Sequence, residues 1–347
     1  DSVPVHTAVD ESVKLCKRMG KGSAAGLVNA VLRKAVSYDL AAAVFPSEAE
    51  RLRVMYSVSE PMAQFLLEKL PEDAQAFLQS SFEKPAFCVR VNTLKTSVEE
   101  LQRFFEQQGI AAQEGEVKGA LLLDWHGSLT ECEAFRQGWF HVQGQSSQLA
   151  CAALDAGEHQ KVVDLCAAPG GKSALLAQKM NNTGALFCRD VSKSRVRLIE
   201  ETLQRLGITN AQVQAGDASV WDETLANADR VLCDVPCSGL GTLAKKPDVR
   251  YKSLDGLETL TQLQARILET GAGYVKPGGI LVYSTCTVNP DENECVVRDF
   301  LNRHPEFEVR HFDAPEWARQ TPEGVLVCPP CAQADGFFIA KLQKRLR

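Results

Sequence analysis

No apolar run in this 347-residue chain approaches the roughly 18 residues needed to cross a bilayer. The opening, DSVPVHTAVDESVKL, also lacks the basic-then-apolar pattern of a secretory leader. These absences make the cytoplasm the expected location and exclude a membrane partner. There is no initiating Met, and the chain opens inside a helical pattern, so an upstream segment is expected. Net positive charge is missing as well: the formal charge is −6, which excludes binding nucleic acid through a uniformly basic surface but leaves room for a local groove. Internal repeats and low-complexity segments are absent. Among the twelve cysteines, Cys328 and Cys331 form a lone CPPC that no second CxxC or His pair completes, so no metal is expected. Most of the others, including Cys166, Cys188 and Cys233, end or interrupt β-like runs and read as small buried hydrophobes.

At 45 % hydrophobic and 24 % charged, the chain can bury a sizeable core and fill more than one domain. Residues 1–44 show helical periodicity, with Val9, Val13 and Cys16 on one stripe and Leu27, Val28, Val31 and Leu32 on another. That piece is too short to hold a core comfortably and reads as the remainder of a helical domain. Residues 45–147 mix helices with strands in PAFCVRVNT, GALLLDW and GWFHVQ, which predicts a small α/β subdomain. Thr96 and Ser97 are candidate caps for a helix over SVEELQRFFEQQG, with Glu99 and Glu100 in its first turn. From 148 to 347 the apolar runs VVDLC, ALFCRDV, AQVQAGD, RVLCDV and GILVYST alternate with helical stretches. That alternation predicts an α/β fold around a mostly parallel sheet. FEVRHF and FFIAKL, with no long helix between them, predict an antiparallel addition at the end, seven strands in all.

In VVDLCAAPGGKSALLAQ a buried strand runs into a turn of Ala167, Ala168, Pro169, Gly170 and Gly171, and a helix begins near Lys172. Glycine lets backbone approach a ligand, and a helix start offers unpaired N–H groups. This is the pattern of a nucleotide pocket at the C-terminal ends of parallel strands. Asp190 ends the next strand, where a carboxylate accepts from ribose hydroxyls; Asp217 follows the third strand, where one can accept from an adenine amine. Asp234 follows the fourth. Singly, each is a strand-end cap; three above one sheet edge point to a cofactor. The turn does not match GxGxxG, which favours S-adenosylmethionine over NAD, with an NAD-dependent oxidoreductase as the alternative reading.

Two cysteines, Cys237 in DVPCSG and Cys286 in STCT, end adjacent strands and open toward that crevice. Each alone reads as a buried hydrophobe; together they suggest covalent chemistry. Carbon 5 of cytosine becomes nucleophilic only after a thiolate adds at carbon 6, and a base must later remove the carbon 5 proton. Either thiol could attack, and Asp234 could hold the ring at N3 or its amino group. Lys245, Lys246, Arg250, Tyr251 and Lys252 in LAKKPDVRYK form a basic loop beside the crevice, the expected phosphate contacts with one stacking ring. Arg195 and Arg197 in SKSRVRL are further basic residues that a local groove could use.

VDLCAAPGGKS, DVPCSGLGTLAKKPDVRYK, YSTCTVNPDENE and DGFFIAKL resemble the successive motifs of the RNA 5-methylcytosine methyltransferase family, the RsmB/Nop2/NSUN group. The resemblance covers roughly 85–344, since PAFCVRVNTLK and GWFHVQGQSSQLA also resemble family segments. HTAVDESV and GLVNAVLRK are similar to the NusB-like helical domain of the bacterial ribosomal RNA branch. The resemblance implies a Rossmann-like class I S-adenosylmethionine-dependent methyltransferase preceded by a ferredoxin-like subdomain and a partial NusB-like domain. It implies that Cys286 attacks, that Cys237 assists release, and that Cys166 to Lys172, Asp190, Asp217 and Asp234 line the cofactor site. The expected substrate is small-subunit ribosomal RNA, acted on by a monomer. A non-catalytic RNA-binding factor that kept the fold is the further alternative; both cysteines and Asp234 speak against it.

Overall fold

The computed structural model describes residues 3–40 and 42–346. Residues 1, 2 and 41 of the expected helical segment, and 347 at the other end, lie outside the described residues. The chain divides into two compact units, Asp1–Ser57 and Val58–Arg347.

The first unit holds helices α1 (Val5–Arg18), α2 (Ala25–Val36) and α3 (Glu48–Tyr56). Ser47 caps α3 by accepting from the Glu50 N–H. Many apolar side chains on α1 and α2, Leu15, Leu27 and Val31 among them, remain exposed. So short a segment has little interior in which to bury them.

The second unit begins with α4 (Glu60–Lys69) and α5 (Ala74–Ser80). A small sheet follows, built from β1 (Phe87–Val91), α6 (Val98–Gln107), β2 (Ala112–Glu114), β3 (Ala120–Leu123), α7 (Glu133–Arg136) and β4 (Phe140–Val142). Its strands are antiparallel in the order β2-β3-β1-β4, the split βαβ arrangement. Phe105 of α6 packs edge-on against Phe140 and Trp125 over this sheet. Sequence periodicity gave no sign of β2, since AQE carries no apolar alternation.

The remainder runs α8 (Gln145–Leu154), β5 (Lys161–Asp164), α9 (Gly171–Lys179), β6 (Ala185–Asp190), α10 (Lys193–Leu206), β7 (Ala211–Ala215), β8 (Ala228–Asp234), α11 (Leu257–Tyr274), β9 (Val275–Thr285), α12 (Glu294–Arg303), β10 (Phe307–Val309), β11 (Arg319–Gln320), β12 (Val325–Val327) and β13 (Phe337–Lys344). Strands β9-β8-β5-β6-β7 are parallel neighbours, the expected doubly wound core. FEV and FFIAKL pair antiparallel as β10 and β13. Among the described residues the sheet holds nine strands rather than seven, because β12 shares the outer edge of β13 with β10 and β11 pairs with β12. Both added strands are three residues or fewer, too short for a period-2 pattern to register. Among the described residues, no helix is long and apolar enough to cross a membrane.

Candidate functional site

Register places the site. Asp164, the last residue of β5, lies beside Leu232 of β8 and Cys188 of β6, so β8 and β6 run two residues farther, to Asp234 and Asp190, and Asp234 pairs with Ser284 of β9. Beyond those ends lies a cleft of about 710 Å³, walled by residues that include Cys166, Ala168, Asp190, Asp217, Asp234, Cys237, Lys246, Lys252 and Cys286. A second recess of about 240 Å³ shares Cys166, Ala168 and Asp234 with it and adds Ala167, Pro169, Gly171 and Lys172, with His141 and Gln143 from the small sheet's side.

The glycine turn is pressed against α10. Gly170 sits at φ +102°, and a Cβ there would meet the Ile199 backbone and the Thr202 side chain at 3.2 Å, so both conformation and space require glycine. Asp190, 3 % exposed, accepts from the Ala168 N–H at 3.3 Å and the Ser192 N–H at 3.1 Å, which ties the turn to β6. Arg195 approaches Asp190 at 3.4 Å. Asp217 accepts from both the N–H and the hydroxyl of Ser219, and those bonds hold its carboxyl below the usual range.

At the other end of the cleft the Cys237 and Cys286 sulfurs are 3.2 Å apart. The Cys237 thiol, donating toward Cys286, draws the Cys286 pKa below that of an ordinary thiol; the Lys172 and Lys246 cations act in the same direction, against burial and Asp234. Cys237 moves the opposite way, its proton retained by that contact and by burial. Lys172 donates to Asp234 at 2.8 Å. Burial alone would lower the Lys172 ammonium, but Asp234 outweighs it and raises the value. Ser284 donates to the other Asp234 oxygen at 2.8 Å. A thiol inclined to ionise, a second that keeps its proton and a fixed carboxylate therefore share one wall, a set suited to nucleophilic addition and proton transfer.

The backbone around Cys286 is locked from a third side. Its carbonyl accepts from the Gly241 N–H at 3.0 Å, and a Cβ on Gly241 would lie 1.9 Å from the Gly336 carbonyl oxygen, so the loop after β8 fits only as glycine against the approach to β13.

The basic loop divides. Lys246 lines the cleft, Tyr251 is 64 % exposed, and Lys245 pairs with Asp335 at 2.7 Å. Lys252 reaches back to the Ser238 carbonyl at 2.8 Å, bracing the Cys237 turn. Arg250 corrects the sequence expectation: it is 7 % exposed, donates to the backbone and hydroxyl oxygens of Ser81 and lies over the Phe82 ring. It is a packing residue, because the 3-10 turn Pro247–Tyr251 rotates it inward while Tyr251 faces out.

Sequence reasoning missed Glu292, a buried carboxylate behind both cysteine turns, and Ser238 of the Cys237 turn and Ser284 near the end of β9, whose hydroxyls reach Glu292 and Asp234. An acidic run such as NPDENE reads as a solvated turn; the only signal was its closeness to Cys286. The described residues contain no group of three or more His, Cys, Asp or Glu placed to hold a metal ion.

Comparison with known proteins bears on this arrangement. A family model described as 16S rRNA methyltransferase RsmB/F matches residues 151–343, a ferredoxin-like domain of RsmF/B-like methyltransferases matches 62–130, and the NusB family matches 1–37. The probable ribosomal RNA small subunit methyltransferase B of Bacillus subtilis is 34 % identical over 99 % of this chain and 79 % of its own length. The ribosomal RNA small subunit methyltransferase B of Vibrio cholerae is 32 % identical over 99 % of this chain and 78 % of its own. Among solved structures, a methyltransferase homologue from Pyrococcus horikoshii superposes with a TM-score of 0.76 at 31 % identity, covering 87 % of this chain and 100 % of that one. The α/β domain is a Rossmann-like methyltransferase fold, and S-adenosylmethionine is its methyl donor. With the catalytic core, the small sheet and the helical start each matched in order, the chain belongs to the 16S rRNA methyltransferase RsmB/F family.

Proposed function

We propose that this protein methylates carbon 5 of a cytosine in small-subunit ribosomal RNA, through a transient bond between the Cys286 sulfur and carbon 6 of the ring. The observation that carries this reading is the placement of two thiols 3.2 Å apart on the wall that also holds the Lys172–Asp234 pair.

S-adenosylmethionine suits the rest of the cleft. Asp190 offers carboxylate oxygens to ribose hydroxyls, and Asp217 stands farther along the cleft for the adenine amine. Cys166 to Pro169, Gly171 and Lys172, with Asp234, complete the lining, while Gly170 packs against α10 instead of facing the cleft. When bound, the cofactor supplies an electrophilic sulfonium methyl.

The chain's own groups do the rest. The Cys286 thiolate adds to carbon 6, which breaks aromaticity and makes carbon 5 nucleophilic. Asp234, steadied by Lys172 and Ser284, accepts from the ring's amino group and fixes its orientation. Once carbon 5 carries the methyl, loss of its remaining proton to a base expels the Cys286 sulfur and restores the aromatic ring. Cys237, in contact with that sulfur, assists this departure.

Reaching carbon 6 requires an unstacked base, so a loop or incompletely folded RNA is the natural substrate. Lys245, Lys246 and Lys252 are the phosphate contacts of this reading, and Tyr251 the stacking ring. The segments 1–44 and 45–147 select the RNA site, and 148–347 performs the chemistry.

The roles separate experimentally. With ribosomal RNA and S-adenosylmethionine, Cys286→Ala should yield neither adduct nor product, whereas Cys237→Ala should accumulate a protein–RNA adduct that survives a denaturing gel. Methylation by the Cys286→Ala protein would overturn the assignment.

A further inference from the structure

We propose that Glu292 is a positioning residue: its carboxylate ties the turn carrying Cys237 to the turn carrying Cys286 and so keeps the two sulfurs in contact. The inference rests on the reading of Cys286 as the attacking thiol.

Glu292 ends the 3-10 turn Pro290–Glu292 after β9 and is 0 % exposed. Among the described residues no cation pairs with it. A carboxylate buried without a counter-ion is costly unless hydrogen bonds satisfy its oxygens. Four do. One oxygen accepts from the Ser238 N–H at 2.8 Å and from Gln264 Nε2 at 2.9 Å; the other accepts from the Ser238 hydroxyl at 2.5 Å and from Asn289 Nδ2 at 3.1 Å.

These donors come from three segments, and two of them carry the reacting thiols. Ser238 directly follows Cys237, and Asn289 lies three residues after Cys286. Gln264 of α11 donates to the Pro236 carbonyl at 2.9 Å as well, gripping the Cys237 turn from its other side. The Ser238 hydroxyl is 2.7 Å from that of Thr287, the residue after Cys286. Tyr283 of β9 in turn donates to the Glu292 carbonyl at 2.6 Å, which anchors the carboxylate's own backbone. Because the donors converge on one carboxylate, the separation of the two turns is set by the length of its hydrogen bonds. Shifting Ser238 outward by about 1 Å would break two of the four.

The chemical consequence follows from the sulfur contact. The Cys237 thiol is the largest influence favouring ionisation of Cys286, and it acts only while the two sulfurs touch. Loosening the Glu292 tie should therefore return Cys286 toward an ordinary thiol without disturbing Asp190 or Asp217, which belong to other strands.

Glu292→Gln in the full chain tests this, since its amide nitrogen must face a donor that the carboxylate accepted. Without RNA, the rate at which iodoacetamide alkylates Cys286 is followed against pH by mass spectrometry of its peptide. The midpoint should rise by about one pH unit, a roughly tenfold slower alkylation at pH 7. With RNA, kcat should fall by a similar factor while KM for RNA and the Kd for S-adenosylmethionine stay within about twofold, and Glu292→Asp should recover part of the loss. An unchanged Cys286 midpoint in folded Glu292→Gln protein would overturn the proposal. Should that variant fail to fold, Ser238→Ala, which removes only the hydroxyl bonds, takes its place: a raised midpoint supports the tie and an unchanged one overturns it. Alkylation needs no substrate, so it stands apart from the Cys286→Ala methylation assay that tests the proposed reaction.

Discussion

A carboxyl driven into an apolar layer holds its proton, and Asp164 at the end of β5 is such a group. It is 1 % exposed; one of its oxygens accepts from the Ser173 hydroxyl at 2.6 Å, and the other has no hydrogen-bond partner among the described residues. Burial pushes its pKa up to about 7 from 3.8, Ser173 opposing and Asp234 adding. Below about pH 4 the carboxyl is protonated folded or unfolded and contributes nothing to pH dependence. As pH rises the unfolded chain ionises first, so the fold loses stability, by about 4 kcal/mol once the pH exceeds 7. Asp164→Asn removes that titration. Its melting temperature should exceed that of the parent protein by more at pH 8 than at pH 5; an equal difference at both would contradict the account. Lys172 offers a second residue-scale prediction. Lys172→Met takes a cation from the Cys286 neighbourhood and strands Asp234, so methylation at pH 7 should fall by about tenfold or more and recover partly at higher pH. A loss independent of pH would argue against its effect on the thiol.

At the scale of elements, α6 starts where a capping box forms. Ser97 accepts from the Glu100 N–H at 3.2 Å, and Glu100 returns a bond to the Ser97 N–H at 3.0 Å. Thr96 bonds to Glu100 rather than capping the helix. Ser97→Ala should cost about 1 kcal/mol in chemical denaturation, and no change in midpoint would discount the cap. The joint between the small sheet and the methyltransferase layer is polar. Arg90 donates to Gly171 O and Gln143, Asn92 to Gly138 O and Leu206 O, and Arg205 to Phe135 O and Phe140 O. His141 in β4 lies 3.0 Å from Arg205 through Nδ1, an arrangement in which the ring nitrogen accepts. Burial first, then the Arg90 and Arg205 cations, lower the His141 pKa to about 3 from 6.5. The folded joint therefore refuses a proton that the unfolded ring takes below about pH 6.5, and its stability declines as pH falls from there toward 3. Amide exchange in β4 and at the start of α9, corrected for intrinsic rate, should quicken between pH 7 and pH 5. His141→Gln, which keeps an acceptor without titrating, should flatten the change.

Over the whole molecule, charge and division into units govern RNA binding and folding. A net charge of −6 leaves RNA contact to a few cations, so the salt slope should be shallow. Replacing Lys245 and Lys246 together by Ala should reduce it by about 1.4, at roughly 0.7 per lost single-strand phosphate contact. An unaltered slope would remove both from the interface. Because Val58–Arg347 forms its own compact unit, a chain beginning at Val58 should fold and bind S-adenosylmethionine as tightly as the parent while holding RNA less well. Unfolding of that shortened chain would show that the boundary is not a folding boundary.

The alternation of apolar runs with helical stretches sufficed to declare a parallel sheet, because strands buried on both faces must be continuously apolar. The turn ending in Gly170 and Gly171, the carboxylates at strand ends and the two cysteines were legible for the same local reason: each sits at a fixed offset from such a run. Arg250 was not, since a charged residue in a loop reads as solvated until the chain supplies Ser81 and Phe82 from 169 and 168 positions away. Glu292 was hidden likewise, its donors on Ser238 and Gln264 being brought by strand order and helix packing. The order of residues thus determined which elements form and which chemical groups stand at their ends. Only the tertiary structure decided which of those groups touch, because burial, counter-charges and the 3.2 Å between two sulfurs are properties of segments far apart along the chain.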